Sequence, residues 1–149
     1  MTSRILIATD GSKYSEKAVD YCIGMAQRLG SEVIALYVIS MKTLEIYAMG
    51  HHDDIRGYEE ANSKLRNEGE EALRYAVRKG NESGVIVNTF IARGYPGEEI
   101  LKLADQERVD MIVVGSLGKS GLEHLLIGSV SEEVVKKAPC PVLVVRGNI

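Results

Sequence analysis

Short, continuous apolar runs alternate along the chain with longer stretches in which apolar residues return every three or four positions. The first run is Arg4 to Thr9, where Ile5, Leu6, Ile7 and Ala8 are consecutive, as in a strand covered on both faces of a parallel sheet. Asp10-Gly11-Ser12 makes a turn, and Ser12 is placed to cap a helix. In that helix Ala18, Val19, Cys22, Ile23, Ala26 and Leu29 form one stripe, ended by Gly30. Val33 to Ile39 predicts a second strand. Ser40 to Gly57 reads as a long irregular loop, of the kind that is usually functional or mobile in compact domains.

A long amphipathic helix follows from about Tyr58 to Lys79, with Ala61, Leu65, Ala72, Leu73, Ala76 and Val77 inward and Gly80 as its stop. Val85 to Ala92 predicts a third strand, and its mixed alternation suits a sheet edge. Gly97 to Gln106 is a short helix with Ile100, Leu101 and Ala104 buried and with Glu98 and Glu99 favourably placed in its first turn. Met111 to Val114, ending in Gly115, is the fourth strand. A glycine-rich loop, a helix from about Val130 to Lys137 and a fifth strand, Val142 to Val145, complete the chain. The order β-α-β-α-β-α-β-α-β argues for one α/β domain, residues 1–149: a five-stranded, parallel, doubly wound sheet with helices on both faces.

Composition adds limits to this outline. The 149 residues are 45% hydrophobic and 26% charged, and aromatics are sparse, with no Trp and one Phe, Phe90. The core must therefore come from Val, Ile, Leu and Ala. A chain of this size buries about 68–70% of its unfolded surface and needs no staple. With 18 basic and 21 acidic residues the net charge is −3, which provides no basic footprint for nucleic acid. No apolar run approaches the ~18 residues of a membrane span. The two cysteines, Cys22 and Cys140, are read as reduced thiols, and the expected location is the cytoplasm.

In a parallel sheet all strand C-termini share one edge, and ligands bind there where strand order reverses. Thr9-Asp10-Gly11-Ser12 falls on that edge after the first strand. Gly115-Ser116-Leu117-Gly118-Lys119-Ser120 falls on it after the fourth, and the chain runs on to Gly128-Ser129-Val130. Gly115 and Gly118 let bare backbone approach a ligand, and Gly128-Ser129 opens a helix whose first amides favour an anion. A hydrogen bond to a charged partner contributes roughly 1.5–3 kcal/mol, so several converging amides hold a polyphosphate with little side-chain charge. Lys119 adds one cation.

Gly115-x2-Gly118-x9-Gly128-Ser129 is similar to the G-2x-G-9x-G(S/T) signature of ATP-binding universal stress proteins. The resemblance spans the chain, through Ile7-Ala8-Thr9-Asp10-Gly11-Ser12, Tyr37-Val38-Ile39, Gly94-Tyr95-Pro96 and Ala138-Pro139-Cys140-Pro141-Val142-Leu143-Val144-Val145. It implies strand order 3-2-1-4-5. It also implies that Thr9 and Asp10 reach the nucleoside and Val38 the adenine, and that Gly115 and Gly118 line ribose and phosphates. Gly128, Ser129, Val130 and Ser131 would receive the phosphates of ATP or a related adenine nucleotide, with Mg²⁺ or Mn²⁺ on them. The family's edge placement of the fifth strand implies a homodimer joined through Val142 to Arg146, where a bare apolar edge needs a cover.

Other readings of the same residues are weaker. Ser129-Val130-Ser131-Glu132 is also a capping box, with Ser129 as N-cap, but the upstream glycines are not needed for capping. Gly118-Lys119-Ser120 is not a Walker A loop, because position 113 is Val113. Asp10 lacks the acidic neighbour of a phospho-accepting receiver site. His51-His52-Asp53-Asp54 has metal-binding residue types but reads as a solvated loop, and Met41 and Met49 read as ordinary loop methionines. The phosphate loop has no catalytic base beside it, with His124 the nearest candidate. A binding module is thus expected ahead of a slow ATPase or a nucleotide-free interaction module.

Overall fold

The computed structural model describes residues 3–50, 55–116 and 128–146. Its elements are β1 (Arg4–Ala8), α1 (Lys13–Leu29), β2 (Glu32–Ser40), α2 (Met41–Gly50), α3 (Ile55–Ser83), β3 (Val87–Gly94), α4 (Pro96–Gln106), β4 (Met111–Gly115), α5 (Ser129–Lys137) and β5 (Val142–Val145). The strands form one parallel sheet of order β3-β2-β1-β4-β5. Both the doubly wound class and the edge position of β3 are therefore observed.

Alternation along the strands divides the core in two. Ile5 and Ile7 of β1, with Val33, Ala35, Tyr37 and Ile39 of β2, face α1 and α3, meeting Ala18, Val19, Cys22, Ile23 and Ala26 on one helix and Ala72, Leu73 and Ala76 on the other. Leu6, Ile34, Leu36, Ile112 and Val114 face the other way, onto Ile100 and Ala104 of α4 and Val134 of α5. Continuous apolar runs are what such two-sided burial requires. The expected stripes hold with small exceptions. Leu29 is 61% exposed at the last turn of α1, and Leu103, not Leu101, joins the α4 contact.

Two boundaries differ from expectation. The segment after β2 is not an irregular loop over its whole length: Met41–Gly50 is a helix. Ser40 starts it, its hydroxyl accepting from the Thr43 amide at 3.3 Å, and Leu44 anchors it at 0% exposure. With one buried side chain, its apolar period is too faint to recognise in sequence. The second difference is that α3 runs through Gly80 to Ser83. Gly84, at φ +69°, ends it, and the Val85 amide closes back on the Gly80 carbonyl at 2.8 Å. Gly80 is required for packing instead, since a Cβ there would lie 2.5 Å from Val87 Cγ2 and 2.8 Å from the Val85 carbonyl oxygen. β3 accordingly starts at Val87, later than the apolar run at Val85 suggests.

Candidate functional site

Strand order reverses between β1 and β4, which lie side by side while the chain continues outward from each. At their C-terminal edge is a cavity of about 340 Å³, lined by Ala8, Thr9 and Asp10 at and just after the end of β1, by Leu36, Tyr37, Val38 and Ser40 of β2, and by Val114, Gly115 and Ser116 at and just after the end of β4. Thr43, Leu65, Pro96 and Ile100 close further sides, and Gly128, Ser129, Val130 and Ser131 bring in the start of α5.

The β1 corner is a hydrogen-bonded turn. Thr9, 6% exposed, prolongs the ladder by donating its amide to the Leu36 carbonyl at 2.9 Å. The Asp10 carboxylate Oδ1 accepts from the Ser12 amide at 2.9 Å and from the Ser15 hydroxyl at 2.6 Å. Gly11, at φ +82°, allows the reversal. Ser12 then caps α1, its side chain accepting from the Ser15 amide, as expected from sequence. These bonds hold the Asp10 carboxylate at the cavity wall.

The opposite corner is built around Ser116, 4% exposed. Its amide donates to the Val145 carbonyl at 2.9 Å, and its own carbonyl accepts the Gly128 amide at 2.7 Å. The Ser131 hydroxyl donates to the Gly115 carbonyl at 2.5 Å. The start of α5 is thereby tied directly to the end of β4. A side chain at Gly128 would crowd this tie, because its Cβ would stand 3.2 Å from the Ser116 carbonyl oxygen.

The N-cap of α5 is Gly128, not Ser129, so the weaker, capping-box reading of Ser129 is not met. Ser129 is the first helical residue, and Glu132 turns away along the helix to meet Lys136 at 2.9 Å. The first intrahelical bond runs from the Glu132 amide to the Gly128 carbonyl. Ser129, Val130 and Ser131 therefore carry the amides an α-helix leaves without intrahelical partners, at the positive end of its dipole. Glu133 also points off the cavity, toward Lys137 at 3.8 Å.

Eight of the ten residues expected at the site line this one cavity: Thr9, Asp10, Val38, Gly115, Gly128, Ser129, Val130 and Ser131. Gly118 and Lys119 lie outside the described residues, as do His124 and His51-His52-Asp53-Asp54. Sequence reading missed Ser15, Ser116 and the wall of Ser40, Thr43, Leu65, Pro96 and Ile100. Ser40 carried a signal, since it shares a strand face with Leu36 and Val38. Leu65 carried none, because only the packing of α3 brings it near.

The lining is chemically divided. Leu36, Val38, Leu65, Pro96, Ile100 and Val114 are its apolar members, while Thr9, Asp10, Ser116 and the α5 amides are polar. Among the described lining residues Asp10 is the one with a formal charge. Among the described residues no group of three or more His, Cys, Asp or Glu is placed to hold a metal ion. Neither cysteine lines the cavity. Cys22 is buried, which pushes its thiol up to about 12. The half-buried Cys140 is also raised, by burial and then by Asp110.

Fold and cavity together define a doubly wound α/β protein with a cavity at its switch point, where ligands bind in sheets of this kind. The universal stress protein family profile matches residues 1–146. A universal stress protein of Methanocaldococcus jannaschii, MJ0531, is 39% identical over 144 residues, covering 96% of this chain and 81% of that protein. The solved structure of MJ0577, from the same organism, has a TM-score of 0.83 at 34% identity, covering 100% of this chain and 99% of the other. A universal stress protein solved in complex with cAMP has a TM-score of 0.67 at 25% identity, covering 97% of both chains. The chain belongs to the universal stress protein family.

Proposed function

We propose that this protein binds an adenine nucleotide, ATP or a close relative, in the β1–β4 cavity and works as a cytoplasmic nucleotide-responsive module of the stress response. The observation that carries the reading is that apolar residues and the first-turn amides of α5 line one cavity of about 340 Å³. The apolar lining suits a base, the Asp10 carboxylate a ribose hydroxyl, and the α5 terminus a phosphate. The cAMP complex of a relative supports the same ligand class. Gly118 and Lys119 complete the phosphate side in this reading, with Mg²⁺ or Mn²⁺ arriving on the phosphates.

Ser129→Asp tests this directly. Ser129 is exposed at the first position of α5, where a carboxylate favours the helix dipole by about 0.3–1 kcal/mol. The same carboxylate opposes a bound phosphate, at a cost of about 1–4 kcal/mol for charges a few ångströms apart in water-like to intermediate surroundings. Calorimetry with Mg-ATP should show affinity falling about tenfold or more, while the melting temperature holds or rises. Equal affinity in both proteins would remove the phosphate from α5.

Binding without turnover is the favoured form of this function. The single carboxylate lining the cavity among the described residues, Asp10, is engaged by Ser12 and Ser15 and is poorly placed as a general base. Phosphate release from Mg-ATP should barely exceed the buffer rate. Sustained release abolished by His124→Ala would make the protein an ATPase.

A further inference from the structure

The wall of the cavity formed by α2 is held in a way that the nucleotide reading does not require. Ser40, which starts the helix, and Thr43 of its first turn line the cavity, yet Leu44 is its one buried residue. So little apolar burial leaves a helix at the low-stability end of a fold, able to open locally. Polar contacts from the β3–α4 segment fasten it. The Tyr95 hydroxyl donates to the Glu45 carboxylate. Arg93 Nε points to Met41 Sδ at 3.4 Å, while its Nη2 donates to the Tyr58 hydroxyl of α3 at 3.0 Å.

The geometry of these contacts ties two walls to each other. Tyr95 directly precedes Pro96, which lines the cavity as the first residue of α4, and Ile100 follows one turn later. The bond to Glu45, which only the protonated phenol can donate, also pushes the Tyr95 hydroxyl's pKa up. With a single buried side chain on α2, loss of one such bond bears directly on the helix's opening equilibrium.

We infer that Tyr95 and Glu45 are positioning residues: together they latch α2 against the β3–α4 segment and set how often the cavity opens to a ligand. The proposal rests on the nucleotide reading only for the identity of that ligand.

The test uses a thiol placed in the cavity by Val38→Cys, alkylated with iodoacetamide and followed by peptide mass spectrometry. Peptide mapping separates the introduced thiol from Cys140, and buried Cys22 reports global opening. Tyr95→Phe and Glu45→Ala should each speed alkylation of the cavity thiol about fivefold, the size of one ordinary hydrogen bond, with Cys22 unchanged. Glu45→Gln, which keeps an acceptor, should restore nearly the parental rate, and the double change Tyr95→Phe with Glu45→Ala should add nothing to either alone. Amide exchange over residues 41–50, in chains that keep Val38, should accelerate in the same two variants. Unchanged rates at the cavity thiol and at those amides, or equal acceleration at Cys22, would overturn the latch. If Tyr95→Phe speeds alkylation but calorimetry on chains that keep Val38 finds no Mg-ATP binding, the latch stands and the nucleotide reading falls. Protection by Mg-ATP with no effect of Tyr95→Phe would overturn the latch alone.

Discussion

Gly80 and Gly24 are both glycines inside helices, and the structure gives them opposite meanings. Alanine favours a helix over glycine by about 1 kcal/mol. At Gly24 an added Cβ meets nothing within 4 Å, so Gly24→Ala should raise stability by about 0.5–1 kcal/mol. At Gly80 the same Cβ meets a β-branched side chain and a backbone oxygen below 3 Å. Overpacking costs typically about 1–3 kcal/mol, which exceeds the helix gain, so Gly80→Ala should be destabilising. Urea denaturation of the two variants beside the parent checks both signs. A stabilised Gly80→Ala would mean α3 and β3 are less closely packed than described. Gly69 belongs with Gly80, since its Cβ would lie 2.4 Å from the buried ring of Tyr37.

At the scale of elements, the starts of α1 and α5 look alike in sequence and differ in construction. Ser12 caps α1 with its own side chain, and Ser12→Ala should cost about 1 kcal/mol of stability. α5 starts at Gly128 with no side-chain cap, so Ser129→Ala should leave stability almost unchanged. Glu132 and Lys136 form an exposed pair, with side chains 52% and 68% exposed, and pairs of that kind contribute about 0–1 kcal/mol. Glu132→Ala should thus also be nearly neutral in thermal melts, whereas a capping box would lose about 1 kcal/mol. An N-terminus whose N-cap residue has no side chain is one at which a ligand oxygen can take the cap's place.

At the scale of the whole molecule, β5 is an edge strand whose Val142, Leu143, Val144 and Val145 are all half-buried within one chain. We propose that a second copy covers it. Ile112 and Ser116 donate to the carbonyls of Pro141 and Val145, so those positions face β4 and the alternate ones, Val142 and Val144, turn their amides to the open edge. Val144→Pro therefore removes an outward donor while sparing the β4 ladder, a substitution tolerated on edge strands. Light scattering should find the parent dimeric at micromolar concentration and Val144→Pro folded but monomeric. A monomeric parent would end the proposal, and a dimeric variant would move the interface elsewhere.

Apart from Met41–Gly50, local pattern alone determined which segments are strands and helices, that the sheet is parallel and doubly wound, and that β3 lies at an edge. Those properties follow from apolar spacing and connection order, which any stretch such as Ile5 to Ala8 carries in itself. The Asp10-Gly11-Ser12 turn after β1 was equally legible, because its bonds are local, although the part Ser15 plays in it was not read from sequence. The chain's resemblance to a known family supplied most of the remaining site residues. Tertiary structure alone decided the far wall of the cavity, the helical state of Met41–Gly50 and the end of α3 at Ser83. Each depends on contacts between residues distant in sequence: Thr43 and Leu65 with the strand ends, Glu45 with Tyr95, and Gly80 with Val87. A glycine that stops a helix and one that admits a neighbouring strand are the same residue in sequence. Only the strand packed against it distinguishes them.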